Sequence, residues 1–103
     1  MDAALKAIAE PRRREILSLI RNAELPAGTI ADHFDVTRPA ISQHLRVLKD
    51  AGLVMERRQG TFRYYKAEPQ PLVEIHEFLD SFWDDHLARL VTTAEAEQRR
   101  RRT

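Results

Sequence analysis

Between Arg38 and Asp50, residues able to make directed polar contacts are interleaved with Ile41, Leu45 and Leu48. Those apolar residues recur at i, i+4 and i+7, so on a helix they share one side. At about 100° per residue, Pro39, Gln43, Arg46 and Asp50 point away from that side, with Arg38 and Ser42 on its flank. Gln pairs bidentately with adenine, Arg with guanine, and a Ser hydroxyl suits several base edges. A helix with short polar groups near its start, backed by arginines, meets the needs of a DNA major groove. An amphipathic helix with a merely solvated outer face shows the same pattern, so its neighbours must decide.

A second group of cations lies further on. Arg57, Arg58 and Arg63 flank Gly60, and Tyr64 and Tyr65 follow. A hairpin carrying them can lay arginines along phosphates or insert one into the minor groove. A structural hairpin with solvated arginines is the alternative. The charge of the whole chain is only +1, but residues 1–67 carry +4 and residues 68–103 carry −3. Thr37–Lys66 alone holds seven basic and two acidic residues, the distribution a polyanion binder needs. Arg12, Arg13 and Arg14 crowd the first turn of another helix, where cations oppose the helix dipole. A phosphate nearby or a plain solvated cluster would each account for them.

Other chemistry finds little support. There is no cysteine, which removes disulfides, thiolate metal sites and thiol redox sensing, and suits a reducing cytoplasm. No Gly-rich phosphate loop, nucleophile with an adjacent base or paired-carboxylate motif occurs, so an enzyme is not expected. Asp84 and Asp85 would point about 100° apart on a helix. No apolar run approaches the ~20 residues that span a bilayer, and the N-terminus does not read as a signal peptide. The 103 residues, 43% hydrophobic, suit one small globular domain for which a partner subunit would supply extra core.

The elements that must hold these residues can be read from pattern. Ala3–Ala9 predicts a short helix with Ala4, Leu5 and Ile8 on one side, interrupted at Glu10–Pro11. Pro11–Arg21 predicts a second helix on Ile16, Leu17 and Ile20. A connection containing Pro26 and Gly28 leads to a helix over about Thr29–Phe34. Thr37 is a suitable N-cap for the next helix, Arg38–Ala51, which Gly52 stops. Two helices joined by so short a turn make a helix-turn-helix. Leu53–Gln59 and Phe62–Ala67 predict a hairpin about Gly60. A long helix, roughly Pro71–Glu97, carries the stripe Leu72, Ile75, Leu79, Phe82, Trp83, Leu87, Leu90 and Val91, which something must cover. Residues 1–98 are therefore expected to form the domain, and 99–103 a basic disordered tail.

Ala9-Glu10-Pro11-Arg12-Arg13-Arg14-Glu15-Ile16-Leu17 resembles the opening of ArsR-type winged helix-turn-helix repressors. Thr37 through Leu45, followed by Leu48-Lys49-Asp50-Ala51-Gly52-Leu53-Val54, resembles their recognition helix and its exit. Gly60 through Tyr65 resembles their wing. The resemblance covers roughly residues 3–91. It implies a mainly α fold with a small β-hairpin and a homodimer paired through the first and last helices. It also implies DNA contacts from Arg38, Ser42, Gln43 and His44, with wing contacts from Arg58, Gly60 and Arg63. Together with the readings above, the expected DNA-binding set is Thr37, Arg38, Pro39, Ser42, Gln43, His44, Arg46, Arg57, Arg58, Gly60, Thr61 and Arg63. The expected dimer seam is Leu5, Ile8, Leu72, Ile75, Leu79, Phe82, Trp83 and Leu90.

Many members of that family respond to metals. One of their sites uses Cys-x-Cys; here Pro26 and Gly28 stand at the matching places, and neither side chain binds a metal. Another uses Asp-x-His, then ten intervening residues, then His-x-x-Glu or His-x-x-His. Here Glu74-x-His76 is followed by His86 with nine residues between the histidines, which rotates the second ligand by about 100°, and Arg89 ends the motif. His76 and His86 are read as polar residues near the dimer seam, and His33 and His44 as surface or DNA-side. The expected function is a cytoplasmic homodimeric repressor of transcription that binds an inverted-repeat operator in double-stranded DNA without a metal or other cofactor. Its small-molecule effector, if any, is unknown. A metal-responsive repressor and a winged-helix adaptor for proteins are the alternatives.

Overall fold

The computed structural model describes the backbone of residues 1–102 and the side chains of residues 1–83, 94 and 97–99. In chain order the elements are α1 (Asp2–Ile8), α2 (Pro11–Leu19), β1 (Leu25–Pro26), α3 (Ala27–Asp32), α4 (Arg38–Asp50), β2 (Val54–Gln59), β3 (Phe62–Ala67) and α5 (Leu72–Arg102). They divide into two units, Met1–Val73 and Glu74–Thr103.

In the first unit, α4 packs against α1, α2, α3 and β2, and so sits at the centre. Its Ile41, Leu45 and Leu48 are fully buried, together with Ile16 and Ile20 of the α2 region, Ile30 of α3 and Leu53. Each such side chain contributes about 1.5–3 kcal/mol relative to leaving it in water. α1 joins this core through Ala4 and Ala7, whose small side chains allow close approach. Leu5 stays exposed and Ile8 half-buried, so the inner side of α1 is not the Ala4–Leu5–Ile8 face that the spacing suggested.

The ends of α4 follow from local chemistry. Thr37 Oγ1 accepts the Ala40 N–H at 3.3 Å, and Pro39 occupies the first turn, where its missing N–H costs nothing. At the other end Gly52 takes φ +77°, its N–H meets the Lys49 carbonyl, and the Leu53 N–H meets the Leu48 carbonyl. That pair of bonds is a Schellman stop, and it turns the chain directly into β2.

The sheet has the order β1-β3-β2 and is antiparallel throughout. The pattern-based reading has two strands here and places Leu25 and Pro26 in a connection. Pro26 donates no N–H and is tolerated because β1 lies at an edge. Gln59 pairs with Phe62 across a turn of Gly60 and Thr61, with Gly60 at φ +62° and Thr61 not at positive φ. A two-residue turn of this kind asks for glycine at its first central position.

The second unit is helical. The backbone of α5 continues through Arg102, past Glu97 where the apolar pattern ends and through residues 99–102, which that pattern placed in a disordered tail. Arginine is a good helix former, and cations at a helix C-terminus complement its dipole. Within the helix Phe78 and Phe82 meet edge to face at 5.0 Å, and His76 Nδ1 lies 3.2 Å from Asp80 Oδ2 one turn on.

Candidate nucleic-acid interface

The exposed side of α4 carries Arg38, Pro39, Ser42, Gln43, Arg46 and Lys49, opposite the buried Ile41, Leu45 and Leu48. Arg38 leans on the start of α3: a side chain at Gly28 would begin 2.9 Å from its guanidinium, so the glycine leaves room for it. Thr37 is exposed but its hydroxyl is engaged as the helix cap. His44 departs from this group. It is half-buried, its Nδ1 lies 3.5 Å from Arg13 Nη1, and it therefore faces α2.

Across from α4 lies the wing, and a cleft separates them. Arg38 and Ser42 line one side of it, Thr61, Arg63 and Tyr65 the other, and Gly28 its end. The cleft continues beside Arg46, Lys49 and Glu56. Alternation along a strand decides which wing cations face it. Arg58 and Arg63 are directly paired and lie on the same face as Glu56 and Tyr65. Arg57, paired with Tyr64, lies on the other face.

Arg57 is therefore separated from the two arginines it was grouped with. Its Nε and Nη2 donate to Glu24 Oε1 at 2.9 and 2.6 Å, its Nη1 donates to Gln59, and its guanidinium stacks 4.7 Å above Tyr64. The hydrogen bond from Arg57 holds the Glu24 carboxyl below the usual glutamate range. Glu56 is lowered too, first by its bond to Lys49 and then by Arg58 and Arg63. Glu24, Glu56 and Gly28 were absent from the sequence-based set. The register of β2 places Glu56 beside Arg58, but Glu24 and Arg57 are 33 residues apart and no local pattern links them.

The Arg12–Arg14 cluster has a third explanation that neither phosphate nor solvation supplied. Arg13 donates to the carbonyls of Ala7 at 2.6 Å and Lys6 at 3.3 Å, and Arg14 to those of Ile8 at 2.7 Å and Ala9 at 3.1 Å. These are the last carbonyls of α1, of which that of Lys6 also accepts the Ala9 N–H at 3.3 Å. Arg12 pairs with Glu15 and lies over the Phe34 ring. Cations that look misplaced at the start of α2 are well placed at the end of α1.

On the proposed dimer seam, Leu5, Leu79, Phe82 and Trp83 are exposed, with Phe82 at 65%, while Ile8 and Leu72 are half-buried. Ile75 is 6% exposed in the single chain. Leu90, and with it the side chains of His86, Leu87, Arg89 and Val91, lies outside the described residues.

Known proteins share this architecture. The family profile described as bacterial regulatory protein, arsR family, matches residues 10–56. The chain is 45% identical over 65 residues to the transcriptional repressor SdpR of Bacillus subtilis (strain 168), covering 63% of this chain and 72% of that one. A crystal structure described as a possible transcriptional regulator for arsenical resistance aligns with a TM-score of 0.71 at 48% identity, covering 86% of this chain and 93% of that one. The homodimeric winged helix-turn-helix DNA-binding domain Mb0332 from Mycobacterium bovis, solved in solution, aligns with a TM-score of 0.65 at 31% identity, covering 85% of this chain and 82% of that one. With a helix-turn-helix in α3 and α4, a wing in β2 and β3, and these relatives, the chain belongs to the ArsR family of winged helix-turn-helix transcriptional regulators and is not an enzyme.

Proposed function

We propose that the protein is a homodimeric repressor that binds an inverted-repeat operator in double-stranded DNA and needs no metal to do so. The observation that carries this reading is the exposed polar side of α4, bordered by a cleft whose far wall carries Arg63 of the wing. Gln43, Ser42 and Arg46 on that side are the base readers, and Arg38 flanks them. Arg58 and Arg63, with Gly60 and Thr61 at the tip, follow the phosphates. Thr37 and Pro39 set the start of α4 against the backbone. His44, turned to Arg13, positions the helix rather than contacting DNA, and Arg57 ties the wing to Glu24.

The dimer reading is supported by the exposed Leu5, Leu79, Phe82 and Trp83 and by the homodimeric Mb0332 domain. Repression is supported by the likeness to SdpR. Metal independence rests on Pro26 and Gly28 at one candidate site and, at the other, on the nine residues between His76 and His86 and on Arg89 at its end. Selection of bound duplexes from a random library tests the reading. It should enrich an inverted repeat with half-sites about one helical turn apart, ~10 base pairs. Stoichiometric zinc, nickel or cadmium should leave affinity for the selected duplex within a few-fold. Enrichment of nothing, or of a single asymmetric site, contradicts the dimeric reading. A zinc-dependent loss that disappears in His76→Ala contradicts metal independence.

A further inference from the structure

Glu56 sits where a DNA-binding surface would be expected to avoid negative charge. Among the described residues three cations reach its carboxylate: Lys49 Nζ at 3.0 Å, Arg58 Nε at 3.5 Å and Arg63 Nε at 3.7 Å. The three come from α4, β2 and β3, so the carboxylate joins the recognition helix to both strands of the wing. Its side chain is 10% exposed, whereas those of Arg58 and Arg63 are 68% and 54% exposed. The carboxylate is thus sheltered at the floor of the cleft, and the guanidiniums above it remain open to an incoming anion. Asp50, at the end of α4, also lines this cleft.

The three links are not equal. Lys49 makes a short bond, while the arginine contacts are long and each runs through a single nitrogen. Long, single-nitrogen contacts from exposed guanidiniums hold weakly. A phosphate offers a guanidinium a bidentate partner of better geometry. The arginines are therefore held loosely, by a group that resembles the ligand they would meet on DNA.

We propose that Glu56 is a built-in competitor for DNA phosphate, which holds Arg58 and Arg63 in the free protein and must yield them when a duplex binds. This rests on the reading that α4 and the wing hold DNA. The competition has a cost on every duplex, operator or not, because phosphates carry no sequence code. It also has a signature in salt. When Arg58 and Arg63 move to phosphate, Glu56 keeps Lys49 but loses two of its three cations, and the partial cation uptake from solution that follows offsets part of the counterion release that drives binding. Removing the carboxylate removes that uptake. Lys49, with its short bond, stays with Glu56 and keeps α4 and the wing together.

The test is fluorescence anisotropy of the full chain with a labelled random-sequence duplex across a salt series, for the unmodified protein and for Glu56→Gln. The variant should bind ~3–10-fold tighter at low salt. Its log–log salt slope should be steeper by up to about one unit per subunit. The gain should vanish when Arg58 and Arg63 are both replaced by alanine, and Glu15→Gln, which removes a charge from α2, should not reproduce it. Weaker binding by Glu56→Gln, or a gain that persists without the two arginines, overturns the proposal. Circular dichroism checks that the variant is folded. Should it not fold, the unmodified protein still decides: the Nε–H resonances of Arg58 and Arg63 should shift on adding duplex, and resonances that stay in place overturn the proposal. If the alanine variants leave the salt slope unchanged, the wing does not contact phosphate and the DNA-contact reading falls as well. If they lower the slope while Glu56→Gln changes nothing, only the role of Glu56 falls.

Discussion

The alternation of β2 sends Arg57 to one face of the wing and Arg58 to the other, where each meets a different carboxylate. Glu24 and Glu56 both lie below the ordinary glutamate value of 4.5, Glu24 through Arg57 and Glu56 mainly through Lys49. A carboxyl depressed on folding adds stability that is present above its unfolded value and lost as pH falls through its folded value. Both links therefore hold at neutral pH and release only below about 4.5. Carbon NMR titration should find Glu24 and Glu56 protonating below the ordinary glutamate value. Titration at or above the ordinary value would show that the ion pairs are not formed in solution. Gln43 belongs to this scale too, since it is uncharged and exposed in the first half of α4.

At the scale of elements, the arginines at the start of α2 act on α1. Arg13→Ala removes two donors from the carbonyls that end α1 and should lower stability by about 1–2 kcal/mol. Chemical denaturation would measure that loss, and the salt slope of DNA binding should not move. A slope reduced with stability intact would return Arg13 to phosphate. The same elements show what can be read from pattern and what cannot. α4 was legible from end to end because Thr37, Pro39 and Gly52 act within a few residues of themselves, and its three apolar positions define one side. The hairpin was legible for the same reason, from Gly60 and the flanking alternation. β1 was not, since two residues make a strand only by pairing with Tyr64 and Tyr65. The inner side of α1 was misjudged because hydrophobicity favours Leu5 and Ile8, whereas close helix packing favours Ala4 and Ala7. The exposed polar side of α4 was legible from spacing; the carboxylates that restrain the wing were not, because Glu24 meets Arg57 only in the folded chain.

At the scale of the whole molecule, the exposed apolar residues of α5 require a partner in the proposed assembly. Leu79→Glu or Phe82→Glu would place an unpaired charge in a dimer seam, costing about 3 kcal/mol or more there. Light scattering should show a dimer for the unmodified chain and a monomer for either variant; a folded monomer of the unmodified chain at micromolar concentration contradicts the assembly. A dimer also doubles every contact with DNA, which makes the division of labour between helix and wing measurable. The decisive experiment is affinity for the selected operator against salt concentration for Gln43→Ala and for Arg58→Ala. Gln43→Ala should lose ~1–3 kcal/mol per half-site on a line parallel to that of the unmodified protein, with preference relaxed at one or two base positions. Arg58→Ala should weaken binding to all duplexes alike, with a slope shallower by about two units per dimer. Specificity that survives Gln43→Ala but is lost with Arg58→Ala would show that the wing, not α4, reads the bases.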